Sequence, residues 1–163
     1  MTPTTRRAIR PTARWALATA ALATAATALT GCGGNASGTA AAPQLKVSGG
    51  YVPQPPMADM ATGYFTVTNT GAGDDRLTSV SSDLAPEVTM HSTQGGAMRA
   101  VSSFPVPAKG RLVLSTGGNH LMLMKLKRRP AVGDKVSFQL HFAKSAPITV
   151  EVPVEPASYH PKG

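Results

Sequence analysis

The sequence predicts an all-β domain of the sandwich or barrel class. Short runs rich in β-branched and aromatic residues recur along the chain, and Gly, Pro, Asn and Asp separate them at intervals of about 8–12 residues. No window shows the 3.6-residue apolar periodicity of an amphipathic helix. About 120 residues follow a flexible spacer, which is enough for one domain with one core.

Each predicted strand is bounded by turn residues. The run at residues 63–69, for example, is rich in β-formers and ends in a Gly- and Asp-containing turn at residues 70–74. We expect residues 105–110, which include two prolines, to form a rigid corner. The predicted strands are residues 45–52, 63–69, 76–81, 87–92, 97–101, 111–114, a strand that begins at His120, 136–142 and 148–154.

Residues 1–31 are predicted to be a secretory leader. Four arginines precede an apolar run at residues 15–29, which is too short and too rich in Ala and Thr for a good transmembrane span. The run ends in Leu29-Thr30-Gly31-Cys32, which resembles the lipobox of bacterial lipoproteins and implies cleavage before Cys32 and acylation of its thiol. An ordinary leader with an incidental Cys32 is the alternative. The pair Arg6-Arg7 leaves both the general secretory route and the twin-arginine route open.

These features define the expected organisation of the chain. Residues 32–43 form the lipidated cysteine and a flexible linker, residues 44–156 the β-sandwich domain, and residues 157–163 a tail. Acyl chains on Cys32 stabilise membrane attachment by about 0.8 kcal/mol per buried methylene. We therefore expect an exported protein that is anchored to the outer face of the cytoplasmic membrane through lipid.

Charge and cysteine content exclude several classes of function. The chain has 16 Lys and Arg against 8 Asp and Glu, and loss of the four leader arginines leaves a net charge of +4. The remaining cations are scattered except for Lys125, Lys127, Arg128 and Arg129, so nucleic-acid binding is not expected. We interpret this cluster as a solvated strand end, with contact to anionic headgroups or an acidic partner as the alternative. Because Cys32 is the single cysteine, an intramolecular disulfide is impossible, and a lipidated Cys32 excludes a blue-copper centre.

The most informative motif is the segment GGNHLMLM at residues 117–124. Successive side chains of a strand point to opposite faces, so His120, Met122 and Met124 are expected to share one face. Neutral imidazole and thioether groups form a soft ligand set that suits Cu(I) better than hard cations. The motif therefore predicts one half of a copper site.

A second segment provides the other half. His91 lies at the end of one predicted strand and Met98 follows the Gly95-Gly96 turn, so a hairpin would bring the two side chains close together. With His120 and Met122 they make an uncharged set of two imidazoles and two thioethers. Affinity should fall as pH drops through the histidine pKa, because only neutral imidazole binds the metal.

This arrangement resembles the periplasmic copper chaperones of the PCu(A)C family, in which a His and then a Met are followed, after 21 intervening residues, by His-x-Met. In this chain 21 residues separate Met98 from His120. The flanking sequences also match, over residues 63–71, 74–77, 105–108 and 117–124. The resemblance covers roughly residues 45–152, nearly the whole expected domain.

The resemblance implies a cupredoxin-like, immunoglobulin-like β-sandwich with an exposed Cu(I) site formed by His91, Met98, His120 and Met122. One departure is that six residues separate His91 from Met98, where the family usually has about ten. The shorter hairpin leaves open whether the site has three ligands or four.

The remaining methionines and histidines receive other interpretations. Met124 and Met90 are candidates for positions behind the ligands, although a regular strand would turn Met90 to the opposite face, into the core. Met57 and Met60 are interpreted as packing or loop residues that precede the first long strand, and the approach of one of them to the metal is the alternative. We expect His141 at the surface, and the tail histidine at position 160 is a weak candidate for an added Cu(II) site.

The predicted function is metal binding and transfer, not catalysis. The chain has no nucleophile elbow, paired carboxylates or zinc-type histidine spacing. We predict an extracytoplasmic copper chaperone, and the resemblance implies delivery to the dinuclear copper centre of cytochrome oxidase, with an oxidase subunit or a Sco-type thiol protein as acceptor. Copper storage or buffering at the cell surface is one alternative. A structural β-sandwich lipoprotein whose methionines are all core is the other.

Overall fold

The structure is a computed structural model that describes residues 41–161. The predicted leader, the Cys32 lipidation site and most of the linker lie outside the described residues. Between Leu45 and Glu155 the described chain contains ten strands and no helix, which confirms the all-β prediction. The strands are β1 (Leu45–Pro53), β2 (Met60–Asn69), β3 (Asp75–Ser82), β4 (Glu87–Gln94), β5 (Ala97–Val101), β6 (Phe104–Val106), β7 (Arg111–Val113), β8 (His120–Met124), β9 (Lys135–Phe142) and β10 (Ile148–Glu155). Over the same span, nothing helical is long and apolar enough to cross a bilayer.

The strands form a sandwich around one core. Their hydrogen-bonded order is β5-β4-β8-β2-β1-β10-β9-β3-β6, and β7 also pairs with β2. The β1–β10 pairing is parallel, whereas the other described pairs are antiparallel. Leu121 from β8 and Phe138 from β9 belong to the same buried cluster, so strands from the two halves of this order share one core. Burial of one such side chain contributes about 1.5–3 kcal/mol.

The side-chain alternation of β8 determines which residues face outward. Leu121 and Leu123 are fully buried, while His120, Met122 and Met124 are partly exposed on the opposite face. A slip of one residue in the pairing of β8 would turn both leucines to solvent, so core packing fixes the register. The core therefore holds the candidate ligands on the outer face.

A buried amide organises the turn after β2. Asn69 is 1% exposed, and its Oδ1 accepts hydrogen bonds from the backbone N–H groups of Gln44 at 3.0 Å and Gly71 at 2.9 Å. Its Nδ2 donates to the carbonyl of Gly73 at 2.8 Å. The segment before β1 and the turn before β3 are thus held by one side chain.

The buried carboxylate of Asp75, the first residue of β3, binds the chain segment that follows β9. Asp75 accepts hydrogen bonds from the backbone N–H groups of Arg76, Lys144 and Ser145 and from the Ser145 hydroxyl, at 2.6–2.9 Å. Burial alone would raise the pKa of Asp75, but these hydrogen bonds outweigh burial and hold the pKa below its usual value. The ionised form is therefore the form that stabilises the fold.

Three local predictions differ from the structure. Strand β2 begins at Met60, so Met60 lies in a strand and not before one. Strand β4 continues to Gln94 because the turn consists of Gly95 and Gly96 alone. The predicted corner at residues 105–110 overlaps the short strand β6, whose one partner among the described strands is β3. An edge strand tolerates Pro105 because one of its sides makes no ladder hydrogen bonds.

Candidate metal centre

Two histidines lie side by side on the outer face of the sandwich. His91 of β4 and His120 of β8 are Cα partners in the antiparallel ladder, so their side chains point to the same side. Their rings are stacked, with centroids 5.7 Å apart and an interplanar angle of 18°. Strand pairing thus brings together two residues that are 29 positions apart in the sequence.

The β4–β5 hairpin places Met98 on this same face. Gly95 and Gly96 have φ values of +57° and +79°, the left-handed backbone that a two-residue type I′ turn requires. This tight turn makes Thr93 the Cα partner of Met98. The Met98 side chain is 52% exposed on edge strand β5.

The Met98 thioether contacts the histidine of β8. In the β4–β5 ladder the Cα partner of His91 is Ala100, and Met98 lies diagonally across from His91, opposite Thr93. The thioether reaches over β4, and its Sδ lies 3.1 Å from Nε2 of His120. The short hairpin thus directs Met98 toward the histidine of β8.

A backbone carbonyl orients the His120 ring. Nδ1 of His120 lies 2.9 Å from the carbonyl oxygen of Gly118, which can only accept, so Nδ1 carries the proton. In the neutral ring this tautomer leaves Nε2 with a lone pair and no hydrogen. The 3.1 Å contact then brings that lone pair and the thioether sulfur together.

One ring nitrogen of His91 contacts a residue of its own strand, and the other has no hydrogen-bond partner among the described residues. Its Nε2 lies 3.0 Å from the hydroxyl oxygen of Thr89, two residues earlier on the same face. Its buried Nδ1 has no hydrogen-bond partner among the described residues. Burial lowers the pKa of His91, and the neighbouring His120 lowers it further, so the neutral ring is favoured.

Met122 lies alongside these three residues. It is half-buried on the same face as His120, two positions further along β8. Residues two positions apart in a strand have Cα atoms separated by roughly 6.6–7 Å. Its Cα partners are Thr89 on β4 and Thr62 on β2, both with small side chains. Met122 is therefore flanked by a threonine on each side.

The two methionines that the sequence suggests for positions behind the ligands lie on opposite faces of the sheet. Met124 continues the outer face, between its Cα partners Glu87 and Met60. Met90 is 7% exposed and pairs with Leu121, so it lies in the core beneath the sheet and not behind the ligands on the outer face.

The remaining candidates lie away from the paired histidines. His141 is half-buried on β9 opposite Ser79, and His160 is exposed in the tail. Met57 is 55% exposed before β2.

Two orienting groups were missed at the level of sequence. Thr89 and the Gly118 carbonyl each lie two residues before a histidine and bond to its ring. For Thr89 the signal was available, because residues i and i−2 of a strand share a face. Within residues 41–161 no three His, Cys, Asp or Glu side chains gather as a metal-binding group, and the two imidazoles are accompanied by thioethers.

Comparison with known proteins gives a family and a fold. Residues 45–154 match the family described as "Putative lipoprotein LpqE-like". A curated protein of Leifsonia xyli subsp. xyli, named "Putative lipoprotein Lxx21020", is 32% identical over 136 residues, which cover 78% of this chain and 82% of that protein.

Solved structures of PCuAC domains share the fold. The apo PCuAC domain of PmoF2 superposes with a TM-score of 0.63 at 23% identity, covering 74% of this chain and 95% of that domain. The solution structure of Cu(I)-DR1885 from Deinococcus radiodurans has a TM-score of 0.61 at 28% identity, covering 75% of this chain and 85% of that one. The predicted cupredoxin-like sandwich is thereby confirmed.

Proposed function

The chain belongs to the LpqE-like lipoprotein family, and from that premise we propose that it is an extracytoplasmic copper chaperone whose cargo is Cu(I). The proposed ligands are His91, Met98, His120 and Met122. The observation that carries the proposal is the 3.1 Å approach of Met98 Sδ to His120 Nε2, beside a second histidine ring at 5.7 Å. The β4–β5 hairpin and strand β8 thus bring a thioether sulfur and an imidazole nitrogen together on the outer face.

The donor atoms fit a soft monovalent ion. With bonds of about 2.0 Å to nitrogen and about 2.3 Å to sulfur, as in zinc sites, the two donors lie roughly 3.5 Å apart at a tetrahedral angle. The observed 3.1 Å separation requires only a small opening, and Met98 on an exposed edge strand can supply it. Two thioethers and two neutral imidazoles favour Cu(I) over Ca²⁺, Mg²⁺ and other hard cations.

The surroundings of the histidines support the same cargo. The Gly118 carbonyl keeps the proton of His120 on Nδ1, an outer hydrogen bond of the kind that orients metal-bound imidazoles. The buried Nδ1 of His91 lacks a hydrogen-bond partner among residues 41–161, and the lowered pKa of this ring keeps it neutral. In the tautomer whose Nε2–H donates to the Thr89 hydroxyl, Nδ1 has a lone pair that a bound cation would satisfy.

The similar protein from Deinococcus radiodurans adds independent support, because its solution structure carries Cu(I). The relative from Leifsonia is named as a lipoprotein, which supports an exported chain anchored through Cys32. We propose that the domain lies at the outer face of the cytoplasmic membrane.

Ligand exchange is the proposed mode of transfer. Met98 is the most exposed of the four ligands, so an incoming thiolate reaches the metal from its side. A thioether leaves as a neutral group and takes up no proton, and copper remains Cu(I) throughout. The proposed acceptor is the dinuclear copper centre of cytochrome oxidase, reached directly or through a Sco-type thiol protein.

Copper titration tests this function. We would titrate the full chain carrying Cys32→Ser, which removes the competing thiol, with Cu(I) against a chromophoric chelator under reducing conditions. His120→Ala and Met98→Leu each remove one ligand and should raise the dissociation constant of the most tightly bound Cu(I) at least about tenfold. The loss of even a hydrogen-bond partner of a ligand has an effect of this size. The control His141→Ala removes an imidazole on β9 and should bind like the parent chain.

Two outcomes would overturn the proposal. Absence of stoichiometric Cu(I) binding contradicts it, and so does unchanged affinity in His120→Ala, which a purely structural sandwich predicts. Retention of copper against an apo oxidase domain would favour storage or buffering over delivery.

A further inference from the structure

Three methionines form a contiguous group next to the candidate metal centre. Met60, the first residue of β2, is the Cα partner of Met124 on β8. Directly paired residues of antiparallel strands have Cβ atoms about 4.5–5.5 Å apart, so these side chains are neighbours. Met122 lies two positions along β8 on the same face, between Met124 and His120. We call Met60, Met122 and Met124 the thioether group.

Core packing does not explain the thioether group. The residues that alternate with it, Ala61, Leu121 and Leu123, are at most 4% exposed and face the core. The three methionines are partly exposed on the other face, where burial gains little. Flexible and polarisable side chains on an outer face are typical of adaptable binding surfaces.

The surroundings of the group admit a cation. The charges that flank Met124 cancel, because Glu87, its Cα partner on β4, forms an ion pair of 3.1 Å with Lys125. On the other side, Met60 and Thr62 line an open groove of about 300 Å³ beside β2. None of the described residues that line this groove is charged, and Pro55, one of them, accepts a hydrogen bond from Nε of Arg129 at 3.0 Å.

We propose that Met60, Met122 and Met124 form a second Cu(I) subsite, which shares Met122 with the first. This proposal rests on the proposed function for the identity of the cargo. Three neutral thioethers make a soft site that takes Cu(I) or Ag(I) in preference to Cu(II), Zn²⁺ or Ca²⁺. Copper passes between the subsites while it stays bound to Met122: the bond to a histidine nitrogen breaks, a bond to the Met124 sulfur forms, and the oxidation state does not change.

The test uses Ag(I), a redox-stable substitute for Cu(I), and methionine methyl groups labelled with ¹³C. In the full chain with Cys32→Ser, the first equivalent should shift the methyl signals of Met98 and Met122. The second equivalent should shift those of Met60 and Met124. The Met90 signal should stay in place, because this residue lies in the core and reports on folding.

A double variant separates the subsites. Met60→Leu/Met124→Leu keeps side-chain volume and removes two sulfurs, so it should bind one equivalent fewer than the parent chain while the first-equivalent shifts persist. The control Met90→Leu makes the same chemical change on the opposite face and should bind as many equivalents as the parent chain.

The outcomes distinguish this inference from the proposed function. If Met98 and Met122 respond but Met60 and Met124 never do, the second subsite is refuted and the chaperone site stands. Equal stoichiometry in the double variant and the parent chain refutes it as well. If Met60 and Met124 respond without Met98, the thioether subsite is supported and the proposed function fails.

Discussion

The Gly95-Gly96 turn should control copper affinity through the position of Met98. Both residues have positive φ, and an added Cβ at either would meet no atom within 4 Å, so a substitution there causes backbone strain without a clash. An L-residue in left-handed conformation costs about 1–2 kcal/mol, and the double variant Gly95→Ala/Gly96→Ala therefore stores roughly 2–4 kcal/mol in the hairpin. A two-residue hairpin can release that strain by opening.

An opened hairpin moves Met98 away from His120 Nε2, which now lies 3.1 Å from its sulfur. We expect the Cu(I) dissociation constant of the double variant to rise at least tenfold, equivalent to about 1.4 kcal/mol, in chelator competition on the Cys32→Ser chain. The matched control is Gly95→Asn, because Asn-Gly is a preferred type I′ sequence. Its affinity should equal that of the parent chain. Equal affinities in all three chains would refute the link between the turn and the site.

Three further predictions concern the groups that hold the site and the fold. Thr89→Val removes the hydroxyl bonded to His91 Nε2 and should weaken Cu(I) binding about 10–100-fold in the same competition assay, with an unchanged unfolding midpoint. The pKa of His91 in the folded protein is lowered by burial and by His120, so just below pH 6.5 the unfolded chain binds more protons than the folded one. The free energy of unfolding of the metal-free protein should therefore fall as pH drops through this range. Denaturation at several pH values should show a weaker pH dependence in His91→Gln. Asp75→Asn keeps the side-chain shape but loses acceptors for buried N–H groups, so the free energy of unfolding measured with denaturant should fall by about 1–3 kcal/mol at neutral pH. The parent chain should lose the same stabilisation only as pH falls below about 3.9 and through the lowered pKa of Asp75 in the folded state.

Local patterns made the strands predictable. The alternation of His120, Leu121, Met122 and Leu123 identified the two faces of β8 from sequence alone, because burial has a period of two residues in a strand. The Gly95-Gly96 pair likewise identified a hairpin, since few other sequences adopt its turn.

The relations between strands were not predictable in the same way. Nothing local specifies the parallel β1–β10 pairing or the contact of Met98 with His120 across β4, because both depend on how the sandwich closes. Met60 precedes the predicted strand at residues 63–69, yet pairing with Met124 extends β2 to that point. Tertiary pairing overrode the local signal there.

X-ray absorption on the Cys32→Ser chain loaded with one equivalent of Cu(I) tests the central claim most directly. The account predicts two nitrogen and two sulfur neighbours around copper, and one sulfur fewer in Met98→Leu. A shell of nitrogen and oxygen neighbours without sulfur would contradict it.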